Sequence, residues 1–245
     1  MQQPEIGVQS FTYRQFDIPG IIEELEETGI TALEIFPGHI SHESPEEEIE
    51  EAQQMLSDAG IRICGIGVCG FNSEEADAVA PTLDFAVRLG CDYVSIDVDP
   101  EDDEIKQILV DKAKSRDLLL GIHNHGPTHH YDTADSVLAS IREFDPVLGA
   151  CVDTGHFLRA DESPERAIEV LGERVHAVHL KDFLDEETEV VPGTGNLNYS
   201  AVLTGLETHT SFDTAFVIEY EADPDDPTPG MRQTVGVFKQ ALENR

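Results

Sequence analysis

The chain has 245 residues, 40% of them hydrophobic, with 50 acidic against 15 basic side chains and a formal net charge of −35. That length and apolar content exclude a disordered chain and allow one large core without disulfide staples. Acidity on this scale repels nucleic-acid backbones and anionic membrane surfaces, so neither is expected as a partner. The acids cluster in EELEE, ESPEEEIEE, DPEDDE, LDEETE and DPDDP, which read as solvated helix faces and loops suited to a high-salt medium.

Short apolar runs of strand type begin near residues 5, 31, 61, 93, 117, 147, 174 and 214. Segments of helical periodicity follow each of them, from IPGIIEELEETG and PEEEIEEAQQMLSDAG to SPERAIEVLG and TPGMRQTVGVFKQALEN. SEEADAVAPTLDFAVRLG is one of these and is expected as a helix. Gly29, Gly60, Gly90 and Gly172 stand where helices end. Eight strand–helix alternations imply a parallel sheet, and the length suits a closed (β/α)8 TIM barrel, a single α/β domain over residues 1–245. No GxGxxG follows the first strand, so a dinucleotide fold lacks its main support. The longest connection, about 182–198, contains VVPGTGN and is a lid candidate on the active side.

Cys64, Cys69, Cys91 and Cys151 form no CxxC pair and are expected as buried thiols in a reducing compartment. The first strand starts almost at once and no apolar stretch could span a bilayer, so a cytoplasmic location is expected. A homo-oligomer is compatible with the sequence.

The chemistry-bearing residues fall at the carboxyl ends of the apolar runs. Asp153 closes LGACVD, His179 closes RVHAVH, Glu219 closes TAFVIE and His123 closes LLLGIH. A parallel barrel gathers strand ends at one mouth, so these side chains would converge although they are far apart in sequence. Asp, Glu and His together suit a divalent metal, and a cation would offset the cost of burying the carboxylates. Along HAVHLKD, period-two alternation puts His179 and Lys181 on one face and His176 on the other, where His176 is structural. Lys181 would reach over the mouth toward a substrate oxygen, whereas Glu221, farther out, reads as exposed.

IHNHGPTHHY holds four histidines, of which His123 and His125 share a face while His129 and His130 lie in the loop beyond. His123 is placed as a ligand or proton-transfer group and His125 as a substrate contact. His156, one turn after Asp153, is a candidate for catalysis, for substrate binding or for a second metal. Glu34 and His39, at and after the second strand, are candidates for contact with a substrate hydroxyl.

The ordered set GVQSFTYR, ALEIFPGH, IHNH, VDTGH, HLKD, VVPGTGNLNYSAVLTGLE and VIEYEADPDDPTPG resembles the xylose-isomerase-like TIM-barrel superfamily, in particular its sugar phosphate isomerase/epimerase branch. The resemblance runs nearly end to end. It implies a Glu, Asp, His and Glu from strands five to eight that bind Mn²⁺, Mg²⁺, Co²⁺ or Zn²⁺, matched here by Asp153, His179 and Glu219. It also implies a small sugar-like substrate. At strand five many members read Glu-Asn-His, whereas this chain reads His123-Asn124-His125. Imidazole keeps acid–base capacity near neutrality but removes one negative charge from the metal site. The expected function is a metal-dependent isomerase or epimerase working through an enediolate, with Glu219 moving the proton and His123 or His156 in the second position. The alternatives are an inosose-dehydratase-like lyase, an endonuclease-IV-like nuclease disfavoured by the charge, and a non-catalytic binding barrel.

Overall fold

The computed structural model describes residues 4–244. Eight parallel strands close into a barrel: β1 (Ile6–Gln9), β2 (Ala32–Ile35), β3 (Arg62–Phe71), β4 (Tyr93–Val98), β5 (Leu119–His123), β6 (Leu148–Asp153), β7 (Val175–Leu180) and β10 (Phe216–Ile218). The spatial order β1-β10-β7-β6-β5-β4-β3-β2 joins the last barrel strand to the first, so no sheet edge is left open. This is the (β/α)8 TIM barrel expected from the alternation.

The helices wrap the outside: α1 (Ile18–Leu25), α2 (Glu46–Asp58), α3 (Val79–Leu89), α4 (Asp103–Lys114), α5 (Ala134–Ile141), α7 (Pro164–Leu171), α8 (Tyr199–His209) and α9 (Thr228–Glu243). Their starts follow ordinary capping chemistry. Asp17, Asp102, Thr133 and Ser163 accept a hydrogen bond from a backbone N–H in the first turn of α1, α4, α5 and α7. Gly90 ends α3 in the left-handed conformation at φ 77°, which a Cβ would strain.

Two local expectations need correction. The segment read as one helix from Ser73 divides into a 3₁₀ stretch, Ser73–Ala78, itself kinked at Glu75, and α3. The long connection after β7 contains its own antiparallel hairpin, β8 (Asp182–Phe183) with β9 (Glu189–Val190). An extra short helix, α6 (Thr154–Arg159), also follows β6 directly.

Most of the apolar core lies between strands and helices, and the barrel interior is filled by small clusters: Ala32, Cys64, Ala215 and Val217, then Tyr93, Cys151 and Ala177. The next interior positions along β6 and β7 are Asp153 and His179, which are register partners. The interior therefore turns from apolar to ionisable as the strands reach their carboxyl ends. All four cysteines are free thiols, with Cys64, Cys69 and Cys151 buried. Among the described residues no helix is long and apolar enough to cross a membrane.

Glu46, Glu47 and Glu48 open α2 on its exposed side, and the other acidic runs are similarly solvated. Self-repulsion among such carboxylates is screened by salt. The melting temperature is expected to rise by about 10 °C or more between low salt and roughly 2 M KCl. A flat response would show the acids to be locally compensated.

Candidate metal centre

Four side chains from four consecutive strand ends meet at the mouth. His123 ends β5, Asp153 ends β6, His179 lies near the end of β7 and Glu219 follows β10. One ligand atom from each lies within 4.8 Å of the others, and all four residues are buried. His179 Nδ1 is 3.0 Å from Glu219 Oε2 and 3.2 Å from His123 Nε2. His123 Nε2 is in turn 3.7 Å from Glu219 Oε2 and 3.8 Å from Asp153 Oδ2. The expected ligand set is thus brought together, His123 included.

The centre fits a divalent cation on its own chemistry. Asp153 Oδ1 accepts the backbone N–H of His156 at 2.8 Å and caps α6, while Oδ2 is buried without a partner, as is His123 Nδ1. A buried unpaired carboxylate oxygen among imidazoles and a second carboxylate is costly unless a cation satisfies it. The Asn124 side chain locks Asp153 in place, donating to its carbonyl at 3.0 Å and accepting from its N–H at 2.7 Å.

The electrostatics agree. Burial pushes the Asp153 carboxyl up to about 6, with nearby Lys181 opposing. Burial also acts to raise Glu219, yet Lys181 and the neighbouring imidazoles of His123 and His179 hold it well below the usual carboxylate range. His179 is held well above the usual imidazole range despite its burial, through Cys151, Glu34 and Glu219. In the metal-free protein, protons and Lys181 therefore carry the positive charge that an ion would supply.

Glu34 is placed differently from its expected role. It is fully enclosed rather than open to the mouth. Its Oε2 lies 2.7 Å from His179 Nε2 and accepts the Tyr93 hydroxyl at 2.5 Å, while Oε1 accepts from Gln9 Nε2 at 3.1 Å. With His179 Nε2–H donating to Glu34, Nδ1 faces His123 and Glu219, where a cation would take the place of its proton. Glu34 is therefore placed to hold the His179 ring, with its carboxylate taken up by His179, Tyr93 and Gln9. Gln9 and Tyr93, which complete this support, had no sequence signal beyond lying on strands.

The remaining candidates surround the mouth. Lys181 is buried, with Nζ 3.7 Å from Glu219 Oε2 and in close contact with Glu221 Oε1. Glu221 is thus an ion-pair partner, not the free surface acid expected. His39 is half-buried in the loop after β2, with Nδ1 2.8 Å from Ser10 Oγ and Nε2 unpartnered; burial lowers its pKa. The His125 ring lies 4.8 Å from that of His123 and stacks on His129 at 4.3 Å. Burial and the neighbouring imidazoles of His123 and His129 lower His125 to about 3. The His156 ring lies 5.8 Å from His123, and burial together with Lys181 lowers its pKa, so it is neutral.

Two acids were missed by sequence reasoning. The buried carboxylate of Asp182 accepts four backbone N–H groups, from Phe183 (2.9 Å), Gly193 (2.9 Å), Gly195 (2.7 Å) and Leu197 (2.8 Å). It clips the PGTGN stretch against the hairpin, and its place in HLKD was the available signal. Glu189, carried by β9, accepts the Glu221 N–H at 2.9 Å, and burial pushes its carboxyl up to about 7 despite Lys181. Nothing in a run as acidic as LDEETE distinguishes it.

Comparison with known proteins agrees with this architecture. The sequence profile described as xylose isomerase-like TIM barrel matches residues 22–241. A curated relative, 3-oxo-isoapionate decarboxylase from Pectobacterium atrosepticum, is 26% identical over 203 residues, covering 76% of this chain and 71% of that protein. The crystal structure of a D-tagatose 3-epimerase-like protein superposes with a TM-score of 0.80 at 18% identity, covering 98% of this chain and 97% of the other. That of the IOLI protein with a bound zinc atom gives a TM-score of 0.76 at 14% identity, with coverage of 98% and 97%. At these identities the two structures establish the shared fold.

Proposed function

The chain belongs to the xylose isomerase-like TIM barrel family, and on that premise we propose that it is a divalent-metal-dependent isomerase or epimerase of a small sugar or related polyhydroxy carbonyl compound, acting through an enediolate. The observation that carries this reading is the convergence of His123, Asp153, His179 and Glu219 at one barrel mouth, with Asp153 Oδ2 buried and unpartnered. A cation held by these four residues would polarise the substrate carbonyl and stabilise the negative charge that develops when a neighbouring C–H proton leaves.

The protein groups then have separate tasks. Glu219, ionised beside Lys181, accepts the proton from carbon, and His156 serves the opposite position with its free nitrogen. Lys181 keeps Glu219 charged, so its effect on substrate is through that carboxylate. His125 and His39 line the approach and suit contacts to substrate hydroxyls. Glu34 fixes His179 from behind.

A lyase on the same scaffold is the second reading, favoured by His123 in place of the family glutamate. That replacement removes one of the two carboxylates that a symmetric epimerisation would use. The curated relative that acts as a decarboxylase is consistent with it.

The test is solvent exchange. Metal-loaded protein is incubated in D₂O with a panel of keto-sugars and inososes, and deuterium incorporation, epimer formation and loss of water are followed by NMR. Incorporation should require metal and fall by about 10²–10⁴-fold in Glu219→Gln. Exchange that survives chelation, or a panel without any metal-dependent exchange, would overturn the reading. Product without retained oxygen count would select the lyase.

A further inference from the structure

We propose that the substrate is a sugar acid and that Arg159, on α6 at the barrel mouth, binds its carboxylate. The position of the substrate rests on the metal-centred reading above, while the anion site rests on separate observations.

The first observation is charge accounting. With 15 bases against 50 acids, a guanidinium readily finds a carboxylate, and six of the nine described arginines do, while Arg174 is committed to the carbonyls of Phe144, Asp145 and Leu148. Arg62 pairs with Glu5 and Asp92, Arg88 with Glu46, Arg116 with Asp84 and Arg166 with Glu162. Arg159 has no carboxylate in ion-pair range among the described residues. Arg14, which also stands at the mouth without a carboxylate, is committed to the carbonyls of Phe11 (3.2 Å) and Glu221 (2.7 Å).

The second is how Arg159 is held. Its Nε donates to the Glu186 carbonyl in the β8–β9 turn at 2.8 Å, and Nη1 donates to His156 Nδ1 at 3.2 Å. The guanidinium carbon lies 5.1 Å from the Phe183 ring centroid. On the other side, the loop after β5 comes close, since a Cβ at Gly126 would stand 2.8 Å from Nη1. Three elements thus fix the guanidinium, and Nη2 is left without an acceptor among the described residues. A side chain so anchored has already lost its rotamer freedom and binds an anion with little further entropic cost.

The third is its distance from the reacting centre. Arginine can only donate, so His156 Nδ1 accepts and the neutral ring carries its proton on Nε2. That ring is 5.8 Å from His123. The guanidinium is therefore one imidazole away from the metal centre, a span that a single small molecule covers with a carbonyl at one end and a carboxylate at the other. The surrounding negative field favours a monoanion over a phosphate, since a dianion meets about twice the repulsion.

The test is binding to the Mn²⁺-loaded protein by isothermal calorimetry at fixed ionic strength, using matched probes. D-Glucuronate and D-galacturonate are each compared with the neutral hexose, and D-glucose 6-phosphate forms the phosphate arm. At least one uronate should bind tenfold or more tighter than its hexose. Arg159→Gln should bring that ratio below about twofold without changing hexose affinity, and Arg159→Lys should keep part of it, because an ammonium retains the charge but not the fork. The Arg159 Nε–H NMR resonance should shift on adding the uronate. Equal affinity for uronates and hexoses, preference for the phosphate, or a ratio that survives in Arg159→Gln would each overturn the proposal. Since only binding is measured, failure of the catalytic reading would appear separately, as an intact uronate preference without metal-dependent exchange.

Discussion

Asp153→Asn is expected to abolish stoichiometric metal binding while leaving the barrel folded. The two carboxylate oxygens of Asp153 have different tasks: Oδ1 caps α6 through the His156 N–H, and Oδ2 faces the centre unpartnered. An amide keeps the capping oxygen and loses the anionic one, so the substitution isolates ligation from capping. Asp153→Ala would lose both, adding about 1 kcal/mol of helix destabilisation. His179→Ala should lose metal as well, whereas His123→Glu, which restores the residue common in the family, should keep it bound. Metal retained at full occupancy in both Asp153→Asn and His179→Ala would show the site to be elsewhere.

The same variant carries a pH signature. Burial raises the Asp153 carboxyl from 3.8 to about 6 in the folded, metal-free protein. The folded state therefore holds this proton more tightly than the unfolded chain does. Stability of the metal-free protein should fall as pH rises from about 4 through about 6, by on the order of 2–3 kcal/mol from this group. Asn has no proton to lose, so metal-free Asp153→Asn should be more stable than metal-free wild type at pH 8 and equal to it near pH 4. Chemical denaturation at the two pH values decides this. Added Mn²⁺ should restore the wild type at pH 8 and leave the variant unaffected.

Glu34→Ala is the second large effect, and it reaches stability and metal together. Removing this carboxylate leaves Tyr93 hydroxyl, Gln9 amide and His179 Nε2–H facing an enclosed void without their acceptor. Loss of one member of a buried, charged network costs about 3–5 kcal/mol. Releasing the His179 ring should also weaken metal binding by about 10–100-fold, the usual cost of losing the group behind a ligating imidazole. Glu34→Gln retains one oxygen and should lose most of the metal affinity effect's upper range while unfolding closer to wild type. Denaturant midpoints and metal titration of both variants provide the check. A Glu34→Ala protein with unchanged metal affinity would mean that the Glu34–His179 contact does not orient the ligand.

The barrel is legible in the sequence, because the strand–helix alternation is written locally. Each strand reads as a short apolar run and each helix as a periodic segment that ends at glycine, and eight such units have few ways to close. The sequence also pointed to the four side chains that meet at the mouth as a candidate metal centre. Asp153, His179, Glu219 and His123 each end an apolar run, and parallel strands bring their ends to one face whatever the details of packing.

Tertiary structure alone decided how deep each group sits and what stands across the barrel from it. Glu34 and Tyr93 come from β2 and β4, with a whole strand between them, and they meet only because the barrel closes around a common interior. Strand stagger places the Glu34 carboxylate against His179 Nε2, and stagger has no local sequence signature. Asp182 and Arg159 likewise looked like ordinary charged residues. One became a loop clip and the other a guanidinium without a carboxylate once the hairpin folded back over α6. Side-chain periodicity tells which face a residue occupies, but the energy of a buried charge depends on partners that only closure of the fold supplies.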